Sequence, residues 1–291
     1  MIKSIIIKFF GLFSVVRGYN ILIIVTAQYL TSIYILSKDT PLRLVILDIN
    51  LFVLVLASAL SIAGGYIINN FYDSEKDLIN RPIKSNIDRL VSQNTKLSFY
   101  FILNFLSIIF ASYVSFKAVL FFSIYIFSLW LYSHKLKKIV YIGNLASTLL
   151  TITPFFILYV YYKNFEFVIF IHAIFLFLIL LMRELTKDLE NLKGDLTLHY
   201  KTIAVTYGEH VSKCILSVLS IITMIPIYIL LYQFSLGCMF IFFYLSIGLI
   251  VIFSILLWVF ESKKQYIILH NILKGIIIAG VFSVLLIDCK V

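Results

Sequence analysis

Nine stretches of this chain are long, apolar and almost free of charge, and that feature constrains the fold more than any other. A run of about 20 such residues crosses a bilayer as a helix, because hydrocarbon offers no partner to unpaired backbone groups. The runs cover residues 19–36, 44–68, 97–116, 118–132, 139–161, 165–182, 214–232, 237–260 and 275–287. The last is short, with room to begin earlier, near Tyr266. Only Lys117 separates the third from the fourth, which predicts a tight turn there. Composition agrees: 62% of the 291 residues are hydrophobic and 13% charged, where soluble domains stand near half and a quarter. The fold class is all-α, a polytopic membrane protein with about nine transmembrane helices in one bundle, and residues 1–291 read as one domain. Residues 1–13 are weakly basic and apolar without a small-residue cleavage site, so no removable signal peptide is read there.

Charge sets the orientation. With nine spans, alternate connections share a side. The N-terminal segment and the connections after spans two, four, six and eight carry 19 of the 24 Lys and Arg. The opposite side carries Lys38, Arg43, Lys117, Lys163 and Lys290. The positive-inside rule places the richer side in the cytoplasm. The net charge of +10 therefore reports topology, and nucleic acid is excluded as a partner. Cys214, Cys238 and Cys289 form no CxxC or Cys/His spacing, so neither a disulfide framework nor a thiolate metal site is supported.

Nine of the fourteen carboxylates lie in two cytoplasmic connections, residues 69–96 and 183–213. In the first, Asn69, Asp73 and Asp77 are spaced four apart, so a helix continuing past Ile68 would stack them on one face. In the second, Asp188, Asn191 and Asp195 fall at i, i+3 and i+7, again one face, with Gly194 placed to end or loosen the helix. Each set is too small for an all-protein metal cage. Oxygen ligands at this density suit Mg²⁺, which keeps waters and binds through one or two carboxylates plus substrate phosphates. Two facing sets fit metals bridged by a diphosphate, with Arg17, Arg81, Lys137 and Lys187 available for its remaining oxygens. His172 falls inside a span, which marks it as an interior residue.

These residues resemble the UbiA superfamily of intramembrane prenyltransferases. The first motif there has the form NxxxDxxxD followed by Asn-Arg-Pro. Here it is Asn69, Asp73 and Asp77, then Asn80-Arg81-Pro82. Arg17-Gly18-Tyr19-Asn20 is similar to an early Arg-x-x-Asn element, and Tyr132 to Lys137 with Gly143-Asn144 is similar to the stretch after the fourth helix. The second motif is most similar to digeranylgeranylglyceryl-phosphate-synthase-like members. It is present as Arg183-Glu184, Lys187-Asp188, Glu190-Asn191 and Gly194-Asp195, with Asn191 replacing the first Asp of the usual DxxxD. The element Gly-x-x-Thr-Leu-Pro is His199-Tyr200-Lys201-Thr202-Ile203-Ala204, so its Gly and Pro are lost. The resemblance runs from Arg17 to Gly208.

What the resemblance implies is Mg²⁺-dependent transfer of a prenyl group from an isoprenyl diphosphate donor to a lipophilic acceptor within the membrane. Asp73, Asp77, Asp188 and Asp195 would be catalytic, and together with Asn69 and Asn191 would hold the metal. Arg17, Asn20, Arg81, Lys137 and Lys187 would bind substrate. The setting would be the cytoplasmic membrane of a prokaryote, with lipid around the bundle. A prenylated glycerol phosphate acceptor would use Lys135, Lys137, Lys138 or Lys201. An aromatic acceptor of quinone biosynthesis stays open, with His134 and His199 as candidate bases. A transporter is the alternative of another class, and it would place its ionisable residues near the midplane on repeated halves. A CDP-alcohol phosphotransferase would need an Asp-Gly-x-x-Ala-Arg run that is absent here. A catalytically weakened family member is the last reading, motivated by Asn191.

Overall fold

The computed structural model describes residues 11–38 and 40–289. Most of the N-terminal segment, and Lys3, Lys8 and Lys290 of the charge count, lie outside the described residues. Among the described residues there is no strand, and nine helices are long and apolar enough to cross a membrane. They are α1 (Gly18–Leu36), α2 (Ile49–Tyr72), α3 (Gln93–Val114), α4 (Phe116–His134), α5 (Ile142–Tyr162), α6 (Phe167–Glu190), α7 (Ile203–Gln233), α8 (Phe240–Val259) and α9 (Lys263–Ser283). Side chains left outside the bundle are apolar, among them Phe101, Phe105, Phe116, Ile221 and Leu245. Water cannot solvate such a surface and lipid can. The chain is a multi-pass membrane protein.

Short polar side chains start several helices by accepting a free backbone N–H. Ser92 accepts from Thr95, Ser115 from Ala118 and Thr202 from Val205. Ser262 and Gln265 form a capping box at α9. These caps correct several boundaries read from hydropathy. The turn between α3 and α4 falls at Ser115, with φ −173° and ψ 160°, and Lys117 lies inside α4. Helix α6 runs to Glu190, past the end of its apolar run, and α9 begins at Lys263 rather than near residue 275. Helix α7 begins at Ile203 and breaks at Gly208, whose φ of 84° is open to glycine.

Helix α2 is the most buried span, with 14 of its 24 residues buried. Its inner face carries Ala57, Ser58, Ser61, Ala63, Gly64 and Gly65, small residues that let helices approach where lipid supplies no hydrophobic drive. Ser61 and Ser107 hydroxyls meet at 2.7 Å, and Ser107 donates to Ala57 O. A Cβ at Gly64 would stand 2.8 Å from Asn104 Oδ1. One apolar core joins α1 to α5 through Leu51, Leu54, Phe122 and Leu158. A second joins α6 to α9 through Ile179, Leu216, Phe243, Phe253 and Leu273. His172 belongs to this second half: its Nδ1 is 2.8 Å from Val168 O and its ring lies against Phe243.

Candidate active site

Both motifs share one local design. Helix α2 ends at Tyr72, Asp73 turns with φ −94° and ψ 7°, and a short helix Ser74–Asn80 follows. Helix α6 ends at Glu190, Asn191 turns with φ −100° and ψ 7°, and Leu192–Thr197 follows. The single continuous face expected for each motif is thus broken at Asp73 and at Asn191. Across the first break the backbone bonds Asp73 N to Asn69 O and Asp77 N to Asp73 O persist, so the three side chains still follow one another. Gly194 does not end the second helix. A Cβ there would stand 2.4 Å from Asn80 Nδ2, so it is the floor on which Asn80 rests.

Asn80 joins the two motifs. Its Nδ2 donates to Asn191 O at 3.3 Å, and its Oδ1 accepts from Gly194 N at 3.1 Å. Lys263 at the start of α9 donates to Asn80 O at 2.5 Å. Arg81 pairs with Glu190 at 2.9 Å, and His270 stands 3.1 Å from the other Glu190 oxygen. Arg183 donates to His270 Nε2 at 3.3 Å. The last helix is therefore tied to both motifs by polar contacts.

Inside this frame lies a cavity of about 570 Å³. Its polar end is lined by Asn69, Asp73, Asp77, Asp188 and Asn191, and by Arg17, Asn20, Lys76, Arg81, Lys137 and Lys187. Its other end is apolar, with Ile23, Ile24, Ile62, Leu129, Leu150, Leu180, Ile277 and Ile278. Asp73 is nearly covered. Its Oδ1 accepts from Lys137 Nζ at 2.7 Å and from Tyr200 Oη at 3.0 Å. Burial pushes this carboxyl up, but Lys137 and Lys76 outweigh burial and hold it below the ordinary carboxylate range. Asp188 accepts from Asn144 Nδ2 at 2.7 Å, and Lys187 pairs with Glu184 at 2.8 Å. Arg17, with φ 51°, lies over the Tyr66 ring, and Asn20 donates to the Tyr66 hydroxyl.

Asp195 departs from expectation. It is fully buried, does not line the cavity, and pairs with Lys76 at 2.5 Å. Burial pushes the Asp195 carboxyl up, and Lys76 only partly restores it. Burial pulls the Lys76 ammonium down, but Asp195 and Asp73 together raise it above its ordinary value. The ammonium is the firmer partner, since it faces two carboxylates while Asp195 has one close cation.

Cavity-facing and motif-bridging residues lie outside the expected set, among them Lys76, Tyr200, Lys263, His270, Asn271 and Lys274. Lys76 links Asp195 to the first motif, and Tyr200 sits between the Lys76 and Lys138 ammonium groups while bonding Asp73. His270 and Lys274 line the cavity from α9. For Tyr200 a signal existed in the element from His199 to Ala204. For His270 and Lys274 it was hidden, because the apolar run of the ninth span begins after them. Of the proposed phosphate lysines, Lys137 lines the cavity, and Lys135, Lys138 and Lys201 do not. His134 is exposed and stacks on Trp130, also away from the cavity.

The chain matches the UbiA prenyltransferase family over residues 25–267. It belongs to that family. Digeranylgeranylglyceryl phosphate synthase of Methanobrevibacter smithii is 28% identical over 211 residues, covering 69% of this chain and 70% of that protein. The protein of the same name from Thermococcus sibiricus is 32% identical over 171 residues, covering 57% of this chain and 59% of the relative. A solved structure concerned with digeranylgeranylglyceryl phosphate synthase in membranes superposes with a TM-score of 0.70 at 20% identity, over 96% of this chain and 98% of that one. A UbiA homolog from Archaeoglobus fulgidus, bound to GPP and Mg²⁺, gives 0.68 at 14% identity over 94% and 99%. These two show the fold.

This UbiA member is a prenyltransferase, and its oxygen-rich cavity fits a hard divalent cation that shares its ligands with substrate. Among the described residues no three His, Cys, Asp or Glu side chains form a protein-only metal centre. Asn191 Oδ1 is buried with no hydrogen-bond partner among the described residues, a neutral oxygen left free on the cavity wall. The residues that could hold the ion are Asn69, Asp73, Asp77, Asp188 and Asn191.

Proposed function

We propose that this chain transfers a prenyl group from an allylic diphosphate to a prenylated glycerol phosphate, forming an ether bond. The observation that carries the acceptor class is the charge on the cavity wall. Arg17, Lys76, Arg81, Lys137, Arg183, Lys187, Lys263 and Lys274 line it, against Asp73, Asp77, Glu184, Asp188 and Glu190. Eight cations exceed five carboxylates before any metal is bound. A phosphomonoester brings about 1.5 to 2 negative charges near neutral pH, so an excess of this size suits a second phosphorylated ligand beside the diphosphate. A benzoate- or naphthoate-type acceptor brings a single carboxylate charge, less than a phosphomonoester, and so accounts for less of the excess. The names of the curated relatives agree with this reading.

Bound Mg²⁺ would neutralise charge developing on the departing diphosphate. Asp73 and Asp77 on one side, and Asp188 and Asn191 on the other, would hold it. Lys137 keeps Asp73 ionised and positioned, and Asn144 orients Asp188. Asp195 serves through Lys76, fixing an ammonium at the cavity wall. Arg81 is held by Glu190, which aims it without removing its remaining N–H donors. The allylic carbon–oxygen bond breaks toward the polar end, and the cationic carbon is left in the apolar end, away from water. The acceptor hydroxyl then forms the new carbon–oxygen bond, and its proton passes to the departed diphosphate.

We further propose that residues 1–291 act as one transmembrane domain in the cytoplasmic membrane of a prokaryote. The motifs would face the cytoplasm, supported by the 19 of 24 basic residues on their side. The test supplies membranes with labelled allylic diphosphate, Mg²⁺ and a panel of phosphorylated and aromatic acceptors. Lipid-soluble labelled product should form with the phosphorylated acceptor and fall by about 100-fold or more in Asp73→Ala. Undiminished product in that variant would sink the metal-site assignment, and product only with aromatic acceptors would replace the acceptor.

A further inference from the structure

Helix α9 turns one long stripe to the cavity: Lys263, Ile267, His270, Asn271, Lys274 and Ile277. The spacing of three and four residues is that of one helical face. Most cations on the cavity wall are already engaged by acidic or imidazole groups. Lys76 meets Asp195, Arg81 meets Glu190, Lys137 meets Asp73, Lys187 meets Glu184, and Arg183 meets His270. Among the described residues, Lys274 meets no carboxylate and no hydrogen-bond acceptor; its ammonium lies 5.0 Å from the centre of the Tyr19 ring. Tyr19 belongs to the first turn of α1 and is 53% exposed. Lys274 therefore stands on the cavity wall beside the first turn of α1, where the wall is open. Directly below it α9 becomes apolar. Lys274 is eleven residues, about 16 Å of helix, from Lys263, the residue that touches the Asn80 clamp between the motifs. A cation on the cavity wall, free of any protein anion among the described residues and followed at once by an apolar stretch of α9, is placed to hold the headgroup of a lipid whose tails stay in the bilayer.

We propose that Lys274, with Asn271 one turn before it, binds the phosphate of the acceptor lipid, apart from the metal-bound diphosphate of the donor. This rests on the proposed transfer to a phosphorylated acceptor. Asn271 offers an amide N–H₂ on the same cavity-lining face and is exposed. Tyr19 holds the ammonium by its ring while leaving the N–H donors free for phosphate oxygens.

The test measures donor and acceptor kinetics separately for the wild type, Lys274→Gln, Lys274→Arg and Asn271→Ala in zwitterionic vesicles with and without added anionic phospholipid. Loss of a charge-assisted contact should raise the acceptor KM about tenfold or more in Lys274→Gln, with the donor KM unchanged. Lys274→Arg should restore most of it, and the dephosphorylated acceptor should be used equally by the wild type and Lys274→Gln. An unchanged acceptor KM, or a rise in the donor KM instead, overturns the assignment. So does an effect seen only with anionic phospholipid present, which would make Lys274 a site for bulk headgroups. Should Lys274→Gln fail to fold by its melting curve, Asn271→Ala decides in the same way. A wild type that uses no phosphorylated acceptor would refute the proposed function itself, before any variant is compared.

Discussion

Asp73 is the residue on which most of the polar end depends. It touches Lys137 and Tyr200, feels Lys76, and lies at the break between two helices. Its carboxyl is held below the ordinary range, so its contribution to stability is complete above about pH 4 and is lost as pH falls through the lowered value. The detergent-solubilised protein should therefore melt at a constant temperature as pH falls to about 5 and then weaken in acid. Asp73→Asn should shrink that acid loss, and an identical acid limb in the variant would show that other carboxylates cause it. Asn191 is the second residue of interest. As an amide it offers Mg²⁺ no charge, so Asn191→Asp should lower the Mg²⁺ concentration for half-maximal transfer, read from a metal titration. His199 stands where the resembled element has Gly, and its φ of 55° shows why Gly is used there. A left-handed side chain costs roughly 1–2 kcal/mol, so His199→Gly should raise stability by about that amount in a denaturation curve.

The elements that make the site are two helices broken at the same point of their design. A side chain clamps them: Asn80 reaches across to Asn191 O and Gly194 N. Gly194→Ala forces a Cβ into a buried, hydrogen-bonded amide, at a cost of about 1–3 kcal/mol. Asn80→Ala removes two hydrogen bonds, worth about 1 kcal/mol each. Because both changes break one contact, the double variant should lose less than the two single losses combined, measured by unfolding in a double-mutant cycle. Strict additivity would mean that the clamp is not a unit. The spacing of Asn69, Asp73 and Asp77 was legible because it follows the helix period. The breaks at Asp73 and Asn191 were not, since neither residue type enforces a turn. They arise where helices that leave the membrane fold over to meet each other.

At the scale of the molecule, the cavity lies between two cores, one joining α1 to α5 and the other α6 to α9. The two motifs that would hold the ion are already joined to each other by protein contacts, through Asn80, Asn191 O and Gly194 N. Chelation should stop transfer and leave the melting temperature nearly unchanged, with activity restored by added Mg²⁺. A large fall in melting temperature on chelation would reveal a structural metal. The three cysteines are free thiols, Cys214 and Cys289 exposed, so reductant should leave stability unaltered.

The apolar runs by themselves determined the nine helices, because a bilayer leaves a chain of that kind no other way to pair its backbone. The charge asymmetry determined which connections share a side, and the four-residue spacing marked the first motif. Only the tertiary structure decided which of the marked residues meet. It withdrew Asp195 from the cavity wall to anchor Lys76, gave Arg81 to Glu190, and brought Tyr200 onto Asp73. It also turned Lys263, His270 and Lys274 of the last helix toward motifs far away in sequence. The reason is physical: hydropathy records how each residue meets lipid, while pairing between buried charges depends on how distant helix ends are brought together.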